Sequence, residues 1–251
     1  LKENQDIKIV LTDYNMPVMN GLELTQEIRK THSKQELTIF AISNSDDSEI
    51  SAKLLKSGAT DYIKKPFSKE EFSCRINNAI EALENIDTIT NQAIRDYLTG
   101  IYNRRHFLQL ANEYYNEIDA DSDTLSIAML DIDNFKSIND SYGDAVGDRV
   151  IIGVANLINS HTSEKDIVAR SGGGEFSVLF KDINPSQAYD ICDDIRSRVE
   201  AYRVSNEYDF GVTISIGLYS QIDGSSVNDM ISEADMLLYK AKNSGKNCIC
   251  I

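Results

Sequence analysis

The chain has 251 residues, 41% of them hydrophobic and 26% charged, enough to bury real cores in one large domain or two ordinary ones. Its formal net charge of -15 argues against a basic groove that reads nucleic acid and against binding to an anionic membrane. No apolar run approaches the ~20 residues of a membrane span, and an anionic substrate such as a nucleotide would need metal ions or a local basic site.

Residues 7–12 (IKIVLT) form a short apolar run that ends at Asp13, followed by a turn-rich loop, NMPVMNG. Residues 22–31 have helical spacing, and residues 38–43 (TIFAIS) read as a second buried strand before the polar loop NSDDS. Residues 48–57 are helical and stop at Gly58; residues 60–64 (TDYIK) form a third strand ending at Lys65-Pro66. This alternation predicts a parallel α/β sheet with loops gathered at the strand carboxyl ends. A helix then starts at Ser68, with Glu71 completing a capping-box pattern. Its apolar positions run from Phe72 through Ile76, Ile80, Leu83, Ile86 and Ile89 to Ala93. The first half packs on the preceding sheet; the second half, Glu84 to Arg95, is expected to pair with a second copy as a short coiled coil.

Beyond residue 95 the pattern changes. Helices are expected at 104–117, 134–140, 146–160, 186–203 and 227–243. Strands are expected at 125–133 (LSIAMLDID), in DIVARS and EFSVLF around SGGG, at 211–220, and in the terminal NCICI. A hairpin mixed with crossovers implies an α+β domain around a central sheet. The four cysteines and three histidines show no zinc spacing, and free thiols fit a reducing cytoplasm.

In a parallel sheet the strand ends converge, so Asp13, Ser43, Tyr62 and Lys65 share one crevice. A carboxylate, a hydroxyl and an ammonium together suit a phosphoryl acceptor. The motifs DYNMPVMNG, AIS and GATDYIKKPF resemble response-regulator receiver domains. The resemblance implies that Asp13 accepts the phosphoryl group, that Ser43 and Tyr62 are the switch residues, that Lys65 senses the phosphate, and that a sensor histidine kinase acts upstream. It also implies a cis bond at Lys65-Pro66. A receiver begins with a strand whose terminal acidic pair holds Mg²⁺. That strand, its helix and a second strand would precede Leu1, and Asp6 does not replace the pair. Residues 1–67 therefore read as a partial receiver with the acceptor strand at an open edge, which argues against phosphorylation of this chain.

In the second domain Asp131 and Asp133 end an apolar strand on one pleat face, a pattern suited to holding a metal against phosphates. Lys136 can meet a phosphate. Asn139 and Asp148 can read guanine or simply cap helices. SGGG lets backbone approach a polyphosphate or makes a tight turn. The blocks DYLTGIYNRRHF, LDIDNFKSINDSYGDAVGD, VARSGGGEF, TISIGLYS and ADMLLYKAKNSGKN resemble the GGDEF family in order and spacing, over about 155 residues.

The resemblance implies a diguanylate cyclase that condenses two GTP into cyclic di-GMP and diphosphate in a homodimer, with Mg²⁺ or Mn²⁺. It implies that Asp131 and the backbone of Ile132 ligate metal and that Asn134 and Phe135 lie under the phosphates. By the same likeness Lys136 and Lys246 contact phosphates, Gly172 and Gly173 form the turn, Asn139 and Asp148 read guanine, and Asp96 is a hinge contact. The implied fold is a partial flavodoxin-like receiver (1–67), a helical linker (68–95) and an α+β nucleotide-cyclase-like palm domain (96–251) with a mostly antiparallel sheet.

Two departures stand out. The signature reads Gly172-Gly173-Gly174-Glu175-Phe176, and Gly174 occupies a position where the family has a catalytic, metal-binding carboxylate. Impaired cyclase activity is expected, unless a bulge in the hairpin lets Glu175 take the missing position. The alternative is an inactive GTP-binding regulatory or interaction module. The family's Arg-x-x-Asp product site reads Ser163-Glu164-Lys165-Asp166, so product feedback is expected to be absent. Asp144 stands where the family usually has His.

Overall fold

The structure, a computed structural model, describes residues 7–44, 48–117, 124–204, 208, 210–220 and 225–251. Asp6 and part of the NSDDS loop lie outside the described residues. The chain divides into two compact units, Leu1–Asn91 and Gln92–Ile251.

In the first unit, β1 (Ile9–Asp13), β2 (Thr38–Ser43) and β3 (Asp61–Lys64) form a parallel sheet in the order β1-β2-β3. The central strand is the apolar one, with Ile39, Phe40 and Ala41 at 0–1% exposure, because both its faces are covered. On one face α1 (Gly21–Ile28) packs Ile28 and Leu24 on Leu37 and Ile39. On the same face, since Ile39 and Ala41 are two residues apart, α2 (Ser48–Lys56) packs Leu54 on Ala41 and Ala59, with Leu22 of α1 and Tyr62 alongside. Asn20 starts α1 with a capping box closed by Glu23. Among the described residues β1 is an edge of this sheet.

The helix α3 (Lys69–Ile94) has 26 residues, a length of about 39 Å. The Oγ of Ser68 accepts the backbone N–H of Glu71 at 3.0 Å, and Arg75 ties the first turns to Asp61 at 2.8 Å. No residue of α3 is fully buried; Ile89 is 66% exposed and Ile80 is 40% exposed.

Among its described residues the second unit has six strands in the order β4-β6-β7-β5-β8-β9. They are β4 (Tyr102–Asn103), β5 (Leu125–Ile132), β6 (Ile167–Gly172), β7 (Glu175–Lys181), β8 (Ile214–Ser220) and β9 (Ile249–Cys250). The three inner pairings are antiparallel and the two outer ones parallel. The parallel strand β4 is too short to show as a pattern in the sequence; it exists because it pairs with Ala169 and Arg170. The helices are α4 (Arg104–Glu117), α5 (Phe135–Tyr142), α6 (Asp144–His161), α7 (Pro185–Ala201) and α8 (Val227–Asn243).

Alternation along β5 divides these helices between two layers. Ala128, Leu130 and Ile132 pack with residues of α6 and α7. Ile127 and Met129 pack with residues of α4 and α8. Asp131 continues the second set, so the strand's own periodicity aims it to the α8 side. At Gly217 on β8 an added Cβ would lie 2.1 Å from the carbonyl oxygen of Ala234. Only a residue without a side chain lets α8 lie this close to the sheet.

Candidate active site

The cleft at the ends of β5 and β7 has a volume of about 570 Å³. It is lined by Asp131, Ile132, Asn134, Phe135, Lys136, Gly172, Gly173, Gly174, Glu175 and Lys246, all expected from the sequence. Asp133 and Lys242 line it too. Gly172 and Gly173 adopt φ of 138° and 52°, a left-handed turn open to glycine. Asn134 also has positive φ, 54°, and so do Lys246 and Asn247 at 66° and 49°. Such strain persists only where neighbours enforce it. Here the backbone N–H of Asn247 donates to Asp133 Oδ2 at 3.0 Å, and Arg196 donates to Asn247 Oδ1 at 3.2 Å. The turn after α8 is thereby pinned so that Lys246 Nζ donates to Asn134 Oδ1.

The two aspartates of LDID separate in role. Asp133 is 5% exposed, and its oxygens accept from Thr213 (2.7 Å), Ser215 (2.6 Å) and Asn247. It organises backbone and has no oxygen turned to a ligand. Asp131 faces the cleft, where Lys242, in the last turn of α8, forms an ion pair with its Oδ2. Lys242 was not picked out in the sequence. It lies in the same block as Lys246, in the last turn of the helix that ends just before it.

Gly174 is buried, and its carbonyl accepts from the N–H of Ile132 at 3.1 Å. A Cβ added there would lie 3.4 Å from Asp131 Oδ1, 3.2 Å from Ile132 Cβ and 3.3 Å from Phe135 Cγ. A carboxylate at this position thus fits beside Asp131 after a slight adjustment. The strand irregularity falls between Arg170 and Gly172 on β6, not at Gly174, and Glu175 stands opposite Asp131 in the ladder as an exposed residue. The alternative in which a bulge carries Glu175 into the place of residue 174 is therefore not formed.

These donors do not make a divalent site of the kind the fold's chemistry requires. One carboxylate is engaged by an ammonium, the next is consumed by backbone and hydroxyl groups, and the third is missing at Gly174. Among the described residues no group of three or more His, Cys, Asp or Glu side chains could hold a metal ion. Mg²⁺ is held through carboxylates and phosphate oxygens, and a cation already on Asp131 competes with it.

Asn139 and Asp148 lie beyond Phe135 and do not line this cleft. The Oδ1 of Asn139 is buried without a hydrogen-bond partner, in the space left by Gly147, where an added Cβ would lie 1.8 Å away. Asp148 follows Gly147 and is exposed. A second cleft of about 500 Å³ includes Arg95, Ser163 and Asp166 in its lining. There Asp166 accepts from the backbone and hydroxyl of Ser163 and from Lys181 N, while Lys165 turns away to Asp182 at 3.5 Å. Asp96 lines neither of these two clefts; it pairs with Arg170.

In the first unit Asp13 and Lys65 meet at the strand ends, and Tyr62 pairs with Ala41 on β2. Lys65 forms an ion pair with Asp13, and this hydrogen bond holds the Asp13 carboxyl below its ordinary range. Ser43 is fully buried at the end of β2, and its carbonyl accepts from Lys65 N at 2.8 Å. The Lys65-Pro66 bond is cis.

A three-layer domain with an Asp-x-Asp strand end, a glycine hairpin and a lysine-rich turn defines one class. The model "Diguanylate cyclase, GGDEF domain" matches residues 93–248, and the chain belongs to that family. A response-regulator receiver model matches residues 1–77. Among curated proteins the chain is similar to response regulator PleD of Caulobacter vibrioides, 29% identical over 97% of this chain and 56% of the relative. It is also similar to the probable diguanylate cyclase DgcT of Escherichia coli, 36% identical over 72% of this chain and 39% of the relative. The chain thus spans about half the length, or less, of these relatives. Among solved structures it resembles the coiled coil and GGDEF domain of DgcB from Caulobacter crescentus in complex with c-di-GMP. The TM-score is 0.66 at 28% identity, covering 72% of this chain and 97% of that one.

Proposed function

We propose that this chain is a receiver-coupled diguanylate cyclase that binds GTP but condenses it to cyclic di-GMP poorly. The observation that carries this is the cleft itself: the residues expected to meet the phosphates all line it, and the side chain missing among them is that of residue 174. Asp131, the backbone of Ile132, Asn134, Phe135, Gly172 and Gly173 form its floor; Lys136 and Lys246 supply charge for phosphates. The unpaired amide oxygen of Asn139 beside Asp148 is suited to the donors on guanine. Mg²⁺ or Mn²⁺ would serve this fold by neutralising phosphate charge, a role that needs the carboxylate Gly174 lacks.

Two half-sites must face each other to join two GTP, so the active species is a homodimer, assembled through the exposed apolar positions of α3. Residues 1–67 act as the receiver, 68–95 as the linker and 96–251 as the cyclase domain. An upstream sensor histidine kinase acts through Asp13, with Ser43, Tyr62 and Lys65 reading the phosphate. With Ser163 folded onto Asp166, product inhibition is absent. The Asp131–Lys242 pair favours a second reading, a GTP-binding regulatory module with no turnover.

The test compares cyclic di-GMP production by this chain and by Gly174→Asp, with GTP and Mg²⁺. A near-silent chain with an active Asp variant supports the proposal. Full activity in the unmodified chain overturns it.

A further inference from the structure

The turn between α8 and β9 holds three successive residues in left-handed conformation: Gly245 at φ 114°, Lys246 at 66° and Asn247 at 49°. Glycine takes such angles freely; lysine and asparagine keep them only where surrounding contacts enforce them. Two side chains from other elements hold Asn247. Its backbone N–H donates to the buried Asp133 at 3.0 Å, and its Oδ1 accepts from Arg196 Nη1 of α7 at 3.2 Å. Arg196 is itself fixed. Its side chain is 18% exposed, and it pairs with Asp193 at 2.8 Å and Glu200 at 3.1 Å on its own helix. Two carboxylates set the plane of the guanidinium, and the same Nη1 that meets Glu200 also reaches the turn, 51 residues away in the chain. Neither Arg196 nor Asn247 lines the cleft, whereas Lys246, the residue before Asn247, does.

We infer that Arg196 is a positioning residue for the nucleotide cleft, acting from α7 through Asn247 to hold the turn that follows α8. The inference rests on reading the cleft as a GTP site and adds to it a residue that touches neither the nucleotide nor the cleft. With Arg196 in place the turn keeps its left-handed backbone before any ligand arrives, so binding does not have to order it. Without Arg196 the side chain of Asn247 loses its partner, and the contact with Asp133 alone must hold two unfavourable residues. The turn then samples extended conformations, and a ligand must reorder it on binding. A ligand with three phosphates feels that loss more than a ligand with one, because the turn borders the phosphate end of the cleft and lies away from Asn139 and Asp148.

The experiment measures binding of the non-hydrolysable β,γ-imido analogue of GTP, and of GMP, to the full chain by calorimetry with Mg²⁺ present. Arg196→Met is expected to weaken the GTP analogue by about tenfold and GMP by less than about threefold. Arg198→Met removes the same charge from the same helix, at a side chain 51% exposed and paired with Asp194, and is expected to move neither constant by more than about threefold. Asn247→Ala leaves α7 intact and is expected to lose as much as Arg196→Met. The double variant is expected to be no weaker than the weaker single one, because both act through one contact. Additive losses overturn the inference and leave the GTP site standing. So does an Arg196→Met chain that binds the analogue as tightly as the unmodified one, or one that loses GMP equally. Should Arg196→Met not fold, Asn247→Ala decides: unchanged binding of the analogue there overturns the inference. An unmodified chain that binds neither nucleotide overturns the GTP reading together with it.

Discussion

Asp96 and Arg170 form an ion pair at 3.0 Å with side chains only 15% and 9% exposed, and the same guanidinium donates to the carbonyl of Gly173 at 2.9 Å. The segment that follows α3 is thereby tied to the glycine hairpin of the cleft through a single arginine. Burial alone would raise the Asp96 carboxyl, but hydrogen bonds from Thr99 and Arg170 outweigh it and hold the group below its ordinary 3.8. A carboxyl depressed in the folded state contributes stability at neutral pH, fully present above the unfolded value. That stability is lost as pH falls through the folded one. Thermal melts should therefore show a loss of stability below about pH 4 that is smaller in Asp96→Asn. At neutral pH Asp96→Ala should cost about 3 kcal/mol by leaving Arg170 unpaired. Equal melting temperatures at neutral pH would remove the pair's structural role.

Restoring the carboxylate at residue 174 should raise cyclic di-GMP formation by about a hundredfold or more, the scale of about 3 kcal/mol in a transition state. The backbone there does not need glycine, because Gly174 lies outside the left-handed region, so Gly174→Asp should fold normally. Product quantified by chromatography at saturating GTP gives the ratio. A ratio near one would mean that residue 174 is not what limits turnover.

Gly217→Ala should lower stability by about 1–3 kcal/mol, because the added methyl group meets the backbone of α8 and forces it outward. The same shift carries Lys242 and Lys246 away from Asp131 and Asn134, so affinity for the GTP analogue should fall with stability. Denaturant melts and calorimetry on one preparation test both. A stability loss with unchanged affinity would show that α8 does not position the lysines.

The pair of Asp13 with Lys65 is about a third exposed on both sides, which limits its worth. Lys65→Ala should cost less than about 1 kcal/mol in denaturant melts. A loss of several kcal/mol would make the pair part of the folding core of the first unit.

Association through α3 is tested by Ile89→Glu, which puts a charge into the stripe of a helix that buries none of its own residues. Sedimentation at graded concentrations should show a dimer dissociation constant raised by about tenfold or more. An unchanged constant would move the dimer contact elsewhere.

Most elements follow from short-range pattern. The middle of TIFAIS is apolar because β2 lies between two strands, and LSIAML alternates between two helical layers. The lining of the cleft was readable too, since Asp131, the glycine turn and Lys246 belong to recognisable blocks. The short strand β4 was not, because two residues carry no period and owe their conformation to a neighbour.

Local sequence also made Asp131 and Asp133 look alike, two acids on one face of a strand. Their different fates depend on groups more than eighty residues away: Ser215 and Asn247 consume Asp133, and Lys242 claims Asp131. Side-chain type and spacing decide which chemistry is present and which carboxylate is lost at Gly174. Which charges meet depends on how close a helix lies to a sheet, and that distance is set by packing at Gly217, a residue with no chemistry of its own.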